Sequence, residues 1–222
     1  MKLLALESAD GACSLALLVD DECQILALPD SRDSLSWLLR EAGSLLADAG
    51  LGWQALDGIA CCVGPGGFTG VRVGVGLAQG WGLAAQLPIA GISSLAALAW
   101  AAGGRGHRGP LRVALDARMG ELYAGHFSVE PGAAPEPLAP EALLTPEALQ
   151  SQLEAEALAG PGFEAHPETF PKAPLLAGIR VSAEAIGRIA ALGPAPIWRP
   201  AAELQPTYLR NEVAQTLAQR GL

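Results

Sequence analysis

The run Cys61-Cys62-Val63-Gly64-Pro65-Gly66-Gly67-Phe68-Thr69-Gly70-Val71-Arg72-Val73-Gly74 holds the residues best suited to chemistry in this 222-residue chain. Ile59 to Val63 are apolar or cysteine, as expected of a strand covered on both faces. Gly64, Gly66, Gly67 and Gly70 permit backbone angles closed to other residues, Pro65 sets the first turn, and Thr69 is placed to cap the following helix. Strand, glycine loop and helix N-terminus bring backbone amides together, an arrangement that attracts phosphate or carboxylate. Tight strand-to-helix turns also use glycine for steric reasons, so the loop fits a structural role equally.

Two phosphate loops are excluded. A Walker loop needs Lys-Ser or Lys-Thr after its last glycine, where this chain has Val71-Arg72, and the dinucleotide fingerprint needs a glycine where Thr69 stands. Cys13, Cys23, Cys61 and Cys62 lack metal-binding spacing and read as reduced core cysteines of a cytoplasmic protein.

The elements that must position this loop follow from composition and period. Half of the residues are apolar and net charge is −9, which argues against nucleic-acid binding by this chain alone, because phosphate affinity rests on clustered Lys and Arg. The uncharged segment 73–104 is interrupted by glycines, Gln79, Gln86 and Pro88, so it predicts a buried helix, strand and helix, not a membrane span. The N-terminal apolar run stops at Glu7, too short for a signal peptide. Strands are predicted over 2–7, 12–19 and 22–28, then a helix over 31–49 capped by Ser31 with Leu35, Leu38, Leu39, Ala42, Leu45, Leu46 and Ala49 as its apolar stripe. A strand over 56–63, a helix over 69–86, a strand over 88–91 and a helix over 94–102 follow. The Gly/Arg/His stretch 102–110 marks the domain boundary: an N-terminal half over 1–105, and a C-terminal half over 106–222. The latter is expected to hold a Pro/Ala-rich loop over 131–141, helices over 146–155 and 183–192 capped by Thr145 and Ser182, and a closing helix near 211–220.

Beyond the boundary the opening repeats. Leu4-Ala5-Leu6-Glu7-Ser8-Ala9-Asp10-Gly11 aligns with Val113-Ala114-Leu115-Asp116-Ala117-Arg118-Met119-Gly120. Two similar halves of strands, then alternating helices and strands, describe an α/β fold of duplicated ribonuclease-H-like halves, that of actin, Hsp70 and sugar kinases. Glu7 and Asp116 sit where ATPases of that fold hold a metal-bound nucleotide. Their turns carry one glycine each, poorly suited to gripping phosphate, so the acids read either as a weak nucleotide site or as strand-end acids with Arg118 as an ion-pair partner.

Gly64 to Gly74, Pro88-Ile-Ala-Gly-Ile-Ser-Ser-Leu95, Asp116-Ala117-Arg118 with Gly120-Glu121-Leu122-Tyr123, and Tyr208-Leu-Arg-Asn-Glu-Val-Ala214 together resemble the TsaB (YeaZ) family, in order and across nearly the whole chain. The resemblance implies a non-catalytic subunit of the bacterial machinery that makes threonylcarbamoyladenosine in tRNA, at the adenosine 3′ of the anticodon. It implies pairing with a catalytic paralogue, TsaD, through helices of the N-terminal half, and recruitment of the small ATPase TsaE. No catalytic residue, metal or cofactor is then expected in the isolated chain; a partner uses ATP, and tRNA is met only through the complex. A metal-dependent enzyme of this superfamily would carry a His-x-x-x-His pair, whereas His107, His126 and His166 lie in separate segments. Asp33 stands where many members have a histidine.

The docking surface is expected on helices 31–49 and 69–86. Gly74, Gly76, Gly80 and Gly82 each cost a helix about 0.5–1 kcal/mol against alanine, which implies close approach of another backbone, in this chain or a partner. Trp37 falls outside the apolar stripe of the first helix and reads as a contact anchor. With Val71, Val75, Ala78 and Trp81 it makes the expected interface. The same face predicts a homodimer when the partner is absent. Two other functions fit the sequence: an ATP-dependent enzyme of the sugar-kinase-like fold, and a self-associating structural homodimer.

Overall fold

Alternation of apolar strands with amphipathic helices runs through the chain twice. A computed structural model describes residues 1–28, 33–171, 173–193 and 197–210. The first pass comprises β1 (Lys2–Glu7), β2 (Cys13–Val19), β3 (Glu22–Leu28), α1 (Ser34–Asp48), β4 (Gly58–Gly64), α2 (Phe68–Ala85), β5 (Ile89–Ser93) and α3 (Ser94–Gly104). The second gives β6 (Gly109–Arg118), β7 (Glu121–Val129), β8 (Glu136–Leu144), α4 (Pro146–Gln150), β9 (Ala157–Ala159), α5 (Pro161–Glu164), β10 (Leu175–Leu176) and α6 (Ala183–Leu192). One short strand, β11 (Trp198–Arg199), follows.

The two sheets share one plan. Their orders are β11-β5-β4-β1-β2-β3 and β10-β9-β6-β7-β8, so each half places its fifth and fourth strands beside its first, and its first beside its second and third. The repeated octapeptides occupy the equivalent ends of β1 and β6, each entering an antiparallel hairpin. This is the duplicated α/β, ribonuclease-H-like architecture of the actin-like fold.

Small residues set how the layers pack. Ala16, Ala5, Ala60 and Ala90 line up across β2, β1, β4 and β5. Gly187 of α6 rests on that row, where an added Cβ would lie 3.1 Å from Ala5 Cβ. On the other face, Gly74 of α2 comes close to Cys61, and Gly82 to Ile89. Both faces of β1 and β4 are therefore covered, which is why their side chains are buried in succession. α6 and β11 come from the second half of the sequence yet pack on the first sheet, so the two halves interlock beyond the break near residue 105.

Several sequence expectations change. Helix α2 begins at Phe68 with Gly67 as its N-cap, and Thr69 lies exposed in the first turn instead of capping it. Helix α4 ends at Gln150, and the expected loop over 131–141 contains most of β8. Pro137 and Pro140 had argued against a strand; β8 is an edge strand, where proline removes no ladder bond on its open side. The caps Thr145 and Ser182 accept the amides of Ala148 and Ala185, each at 3.2 Å. Ser31, the closing helix near 211–220 and the motif residues after Arg210 lie outside the described residues. Among the described residues, no helix is long and apolar enough to cross a membrane.

Candidate functional site

Strand β4 delivers the glycine loop to the end of β1, where each glycine faces a backbone group. An added Cβ at Gly70 would fall 1.9 Å from the Ser8 carbonyl oxygen, and one at Gly66 would fall 2.5 Å from that of Ala9. Ser8 Oγ donates to the Gly70 carbonyl at 2.9 Å, and the Gly67 amide donates to the Ala9 carbonyl at 2.7 Å. Gly64 adopts φ +90°, a conformation that glycine reaches without strain. Ser94 Oγ closes the far side by donating to the Pro65 carbonyl, and Ser93 Oγ donates to Glu141 of β8. The loop is thus a joint between α2, the β1–β2 turn and the start of α3, and Ser93 beside it reaches the second sheet. The Gly67 amide, one of those expected to converge on an anion, is spent on Ala9.

Glu7 explains the turn beside it. Its side chain is 1% exposed, and Oε1 accepts the Ala9 amide at 2.5 Å and the Asp10 amide at 3.1 Å. Burial pushes its carboxyl up to about 8, opposed by the Ala9 amide. Its repeat partner Asp116 is partly exposed, accepts the Arg118 amide at 2.7 Å and pairs with the Arg118 guanidinium at 3.1 Å. The two acids, equivalent in sequence, do not share a site. Glu7 lies beneath its turn, and Asp10 takes its place facing Asp116 across a cleft of about 380 Å³ between the halves. Burial lifts the Asp10 carboxyl to about 6, with Arg180 and Arg118 acting against the rise and Asp116 adding to it.

The remaining motif residues converge on the mouth of this cleft. Arg72 lies over the Phe68 ring, 3.5 Å from its centroid, and its Nε donates to Tyr208 Oη at 2.8 Å. Arg210 pairs with Glu121 at 2.7 Å and donates to the Ala117 carbonyl at 3.1 Å. The Thr207 amide bonds the Val63 carbonyl at 2.8 Å. Blocks far apart in sequence, 136 residues for Arg72 and Tyr208 and 93 for Ala117 and Arg210, therefore form one contact set that ties the tail to both halves.

The expected interface residues divide. Val71, Val75 and Ala78 are buried against the first sheet, because the face of α2 that carries them covers β4. Trp37 is half-buried against the same core, and Trp81 is half-buried with its ring centroid 5.3 Å from that of Trp53. Exposed apolar side chains lie elsewhere: Leu35 and Leu39 of α1 are 48% and 51% exposed, and Phe68 and Leu83 of α2 are 47% and 60%. Leu35 and Leu39 belong to the expected core stripe yet stand exposed: at the helical pitch Leu39 falls just beyond the arc of Leu38, Ala42, Leu45 and Leu46, which are buried, whereas Leu35 shares that arc but stands in the first turn of α1. Gly74 and Gly82 are met closely by atoms of this chain, whereas nothing lies within 4 Å of an added Cβ at Gly76 or Gly80. These two glycines, one turn apart, are the ones that this chain's own packing leaves unexplained. Leu35, Phe68, Val73, Gly76 and Leu77 line an apolar groove of about 460 Å³ between α1 and α2.

The comparisons with known proteins agree with this arrangement. The family model for TsaD, tRNA N6-adenosine threonylcarbamoyltransferase, matches residues 29–221. The tRNA threonylcarbamoyladenosine biosynthesis protein TsaB of Escherichia coli K12 is 32% identical over 96% of either chain, and that of Haemophilus influenzae is 42% identical over 55% of this chain and 52% of its own. Among solved structures, YeaZ from Pseudomonas aeruginosa superposes with a TM-score of 0.85 at 33% identity, covering 94% of this chain and 99% of that one. The motif blocks, the duplicated fold and the nearly full-length matches to the Escherichia coli and Pseudomonas aeruginosa proteins place the chain in the TsaB (YeaZ) family.

Proposed function

We propose that this chain is a non-catalytic scaffold subunit in the synthesis of threonylcarbamoyladenosine in tRNA. It docks a TsaD-type catalytic paralogue on the exposed faces of α1 and α2. A TsaE-type ATPase joins that pair in the cytoplasm, ATP is used through the partners, and tRNA is met only in the complex. Alone, the chain pairs with itself through the same face.

The observation that carries this reading is the exposed apolar groove between α1 and α2, floored by Gly76 with Gly80 one turn beyond. Glycines with open space above them destabilise a helix unless another element approaches closely. The family names printed for the relatives supply the reaction, and the match to the TsaD model supports a paralogue of the same architecture. The state of the cleft supports a subunit without nucleotide chemistry of its own, since Glu7 and Ala9 satisfy the amides beside it. Among the described residues, no group of three or more His, Cys, Asp or Glu could hold a metal ion. One solved relative is described as similar to peptidase YeaZ; its likeness to this chain supplies the fold.

Calorimetric titration against the TsaD-type subunit of the same organism tests the proposal. Wild-type chain is expected to bind below micromolar, and Leu35→Arg to weaken binding by roughly tenfold or more, the scale of a lost interface anchor. Equal affinity for folded Leu35→Arg and wild type, or no binding by wild type, overturns it.

A further inference from the structure

Arg72 is fixed in place yet meets no opposite charge. Its guanidinium lies 3.5 Å from the centroid of the Phe68 ring and 5.6 Å from that of Tyr208, and its Nε donates to Tyr208 Oη at 2.8 Å. Arg40, Arg112, Arg118, Arg180 and Arg210 each reach a carboxylate of this chain. Among the described residues Arg72 reaches none, and its two Nη groups make no hydrogen bond, although the chain carries a net charge of −9.

The position of that cation gives it a use. It stands exposed on α2, one turn before Gly76, on the wall of the groove that Leu35, Phe68, Val73 and Leu77 make apolar. It is the one charge among the described residues of that wall. Tyr208 occupies Nε, so the end-on pair of Nη groups is the fork left for a partner, and the Phe68 ring fixes its plane. Two parallel N–H groups match the two oxygens of a carboxylate, and their prior ordering reduces the side-chain entropy lost on contact. A nucleic-acid phosphate would call for clustered cations, whereas the neighbours of Arg72 in the groove are apolar.

We infer that Arg72 is the charged anchor of the α1–α2 docking face. It receives a carboxylate from an otherwise apolar segment of the TsaD-type partner, and Tyr208 is its positioning residue. This rests on the docking reading proposed above and names the chemistry that the partner brings to it. The tail is thereby part of the docking face, although Tyr208 lies 136 residues beyond Arg72 in sequence.

The test is calorimetric titration of the full chain against the TsaD-type subunit at about 0.1 M and about 1 M salt, over which the screening length falls from roughly 10 to 3 Å. Wild-type binding is expected to weaken with salt. Arg72→Gln is expected to bind about tenfold more weakly at the lower salt, the scale of one charge-assisted contact, and to lose most of the salt dependence. Arg72→Glu should lose more than Arg72→Gln, because it sets two carboxylates against each other. Tyr208→Phe keeps the ring but releases Nε, and an intermediate loss is expected. Thermal unfolding checks that the variants fold; should Arg72→Gln not fold, Arg72→Lys takes its place, keeping the charge without the fork, and affinity equal to wild type then overturns the inference. Equal affinity or an equal salt response for wild type and folded Arg72→Gln does the same. So do equal losses in the Gln and Glu variants, and so does weaker tRNA binding by the assembled complex with the pair affinity intact. If Leu35→Arg still weakens binding in those cases, the docking face stands and the charged anchor alone fails. If the wild-type chain does not bind, both fail.

Discussion

The two halves carry the same hairpin with the same acid at its start, and the chain treats the two acids in opposite ways. Glu7 is buried and holds its own turn together, whereas Asp116 stays partly exposed and pairs with Arg118. The cause lies in what packs on each turn. The glycine loop after β4 presses onto Ser8 and Ala9, and excludes water from Glu7. Its counterpart after β9 is the short helix α5, whose Gly160 and Gly162 approach Ala114 further back along β6, so the Asp116 turn remains open. Duplication gave one topology, and the length of the following loop and helix decided whether the acid became a structural group or a surface one.

The largest effect that separates the halves is expected from pH. The folded-state carboxyl of Glu7 lies near 8, above its ordinary value of 4.5, so folding favours the protonated form. Its contribution to stability is complete below about pH 4.5 and is lost as pH rises through about 8. At about 1.4 kcal/mol per unit, the span approaches 5 kcal/mol. Glu7→Gln keeps an oxygen for the Ala9 and Asp10 amides without the charge, so its urea-unfolding free energy is expected to be flatter than wild type between pH 5 and 8 by several kcal/mol. Asp116→Asn is expected to change that slope far less, only through its minor share in the raised Asp10 carboxyl. Parallel slopes for wild type and Glu7→Gln would break the contrast between the two acids.

How much of this was legible in the sequence differs between the halves in the same manner. In the first half, long strands and helices with clear periods gave their own boundaries to within a few residues, as Leu38, Ala42, Leu45 and Leu46 did for α1. In the second, β9 and β10 span three residues and two, too few for a period to show, and the prolines of β8 hid an edge strand. The motif blocks meet at the cleft only in the fold, where Arg72 touches Tyr208 and Arg210 touches Glu121. Which acid faced that cleft was not legible. Glu7 and Asp10 are three residues apart; with the glycine loop packed on Ser8 and Ala9, Glu7 is buried and Asp10 lines the cleft. For the proposed docking face the four glycines of α2 divide, since Gly74 and Gly82 are met by this chain's own atoms while Gly76 and Gly80 face open space.

A second contrast sets glycine against glycine. Gly70→Ala would place a methyl 1.9 Å from the Ser8 carbonyl oxygen, so α2 must shift from the turn and lose the Ser8 to Gly70 bond. A loss of about 3 kcal/mol is expected, the upper range for overpacking. Gly120→Ala in the open turn meets nothing within 4 Å, and its cost comes from φ +75° alone, roughly 1 kcal/mol. Equal losses by thermal unfolding would show that the glycine loop does not bear on the β1–β2 turn as the backbone contacts indicate.

The smallest effect sharpens the comparison from the open side. Arg118 is 87% exposed in its side chain, and its pair with Asp116 lies in water, where such pairs contribute about 0.2–1 kcal/mol. Arg118→Ala is therefore expected to change stability by no more than about 0.5 kcal/mol, within the range of surface substitutions. A loss of stability well beyond that range would mean that the turn after β6 is held by its ion pair, and that the two acids are closer in role than their burial implies.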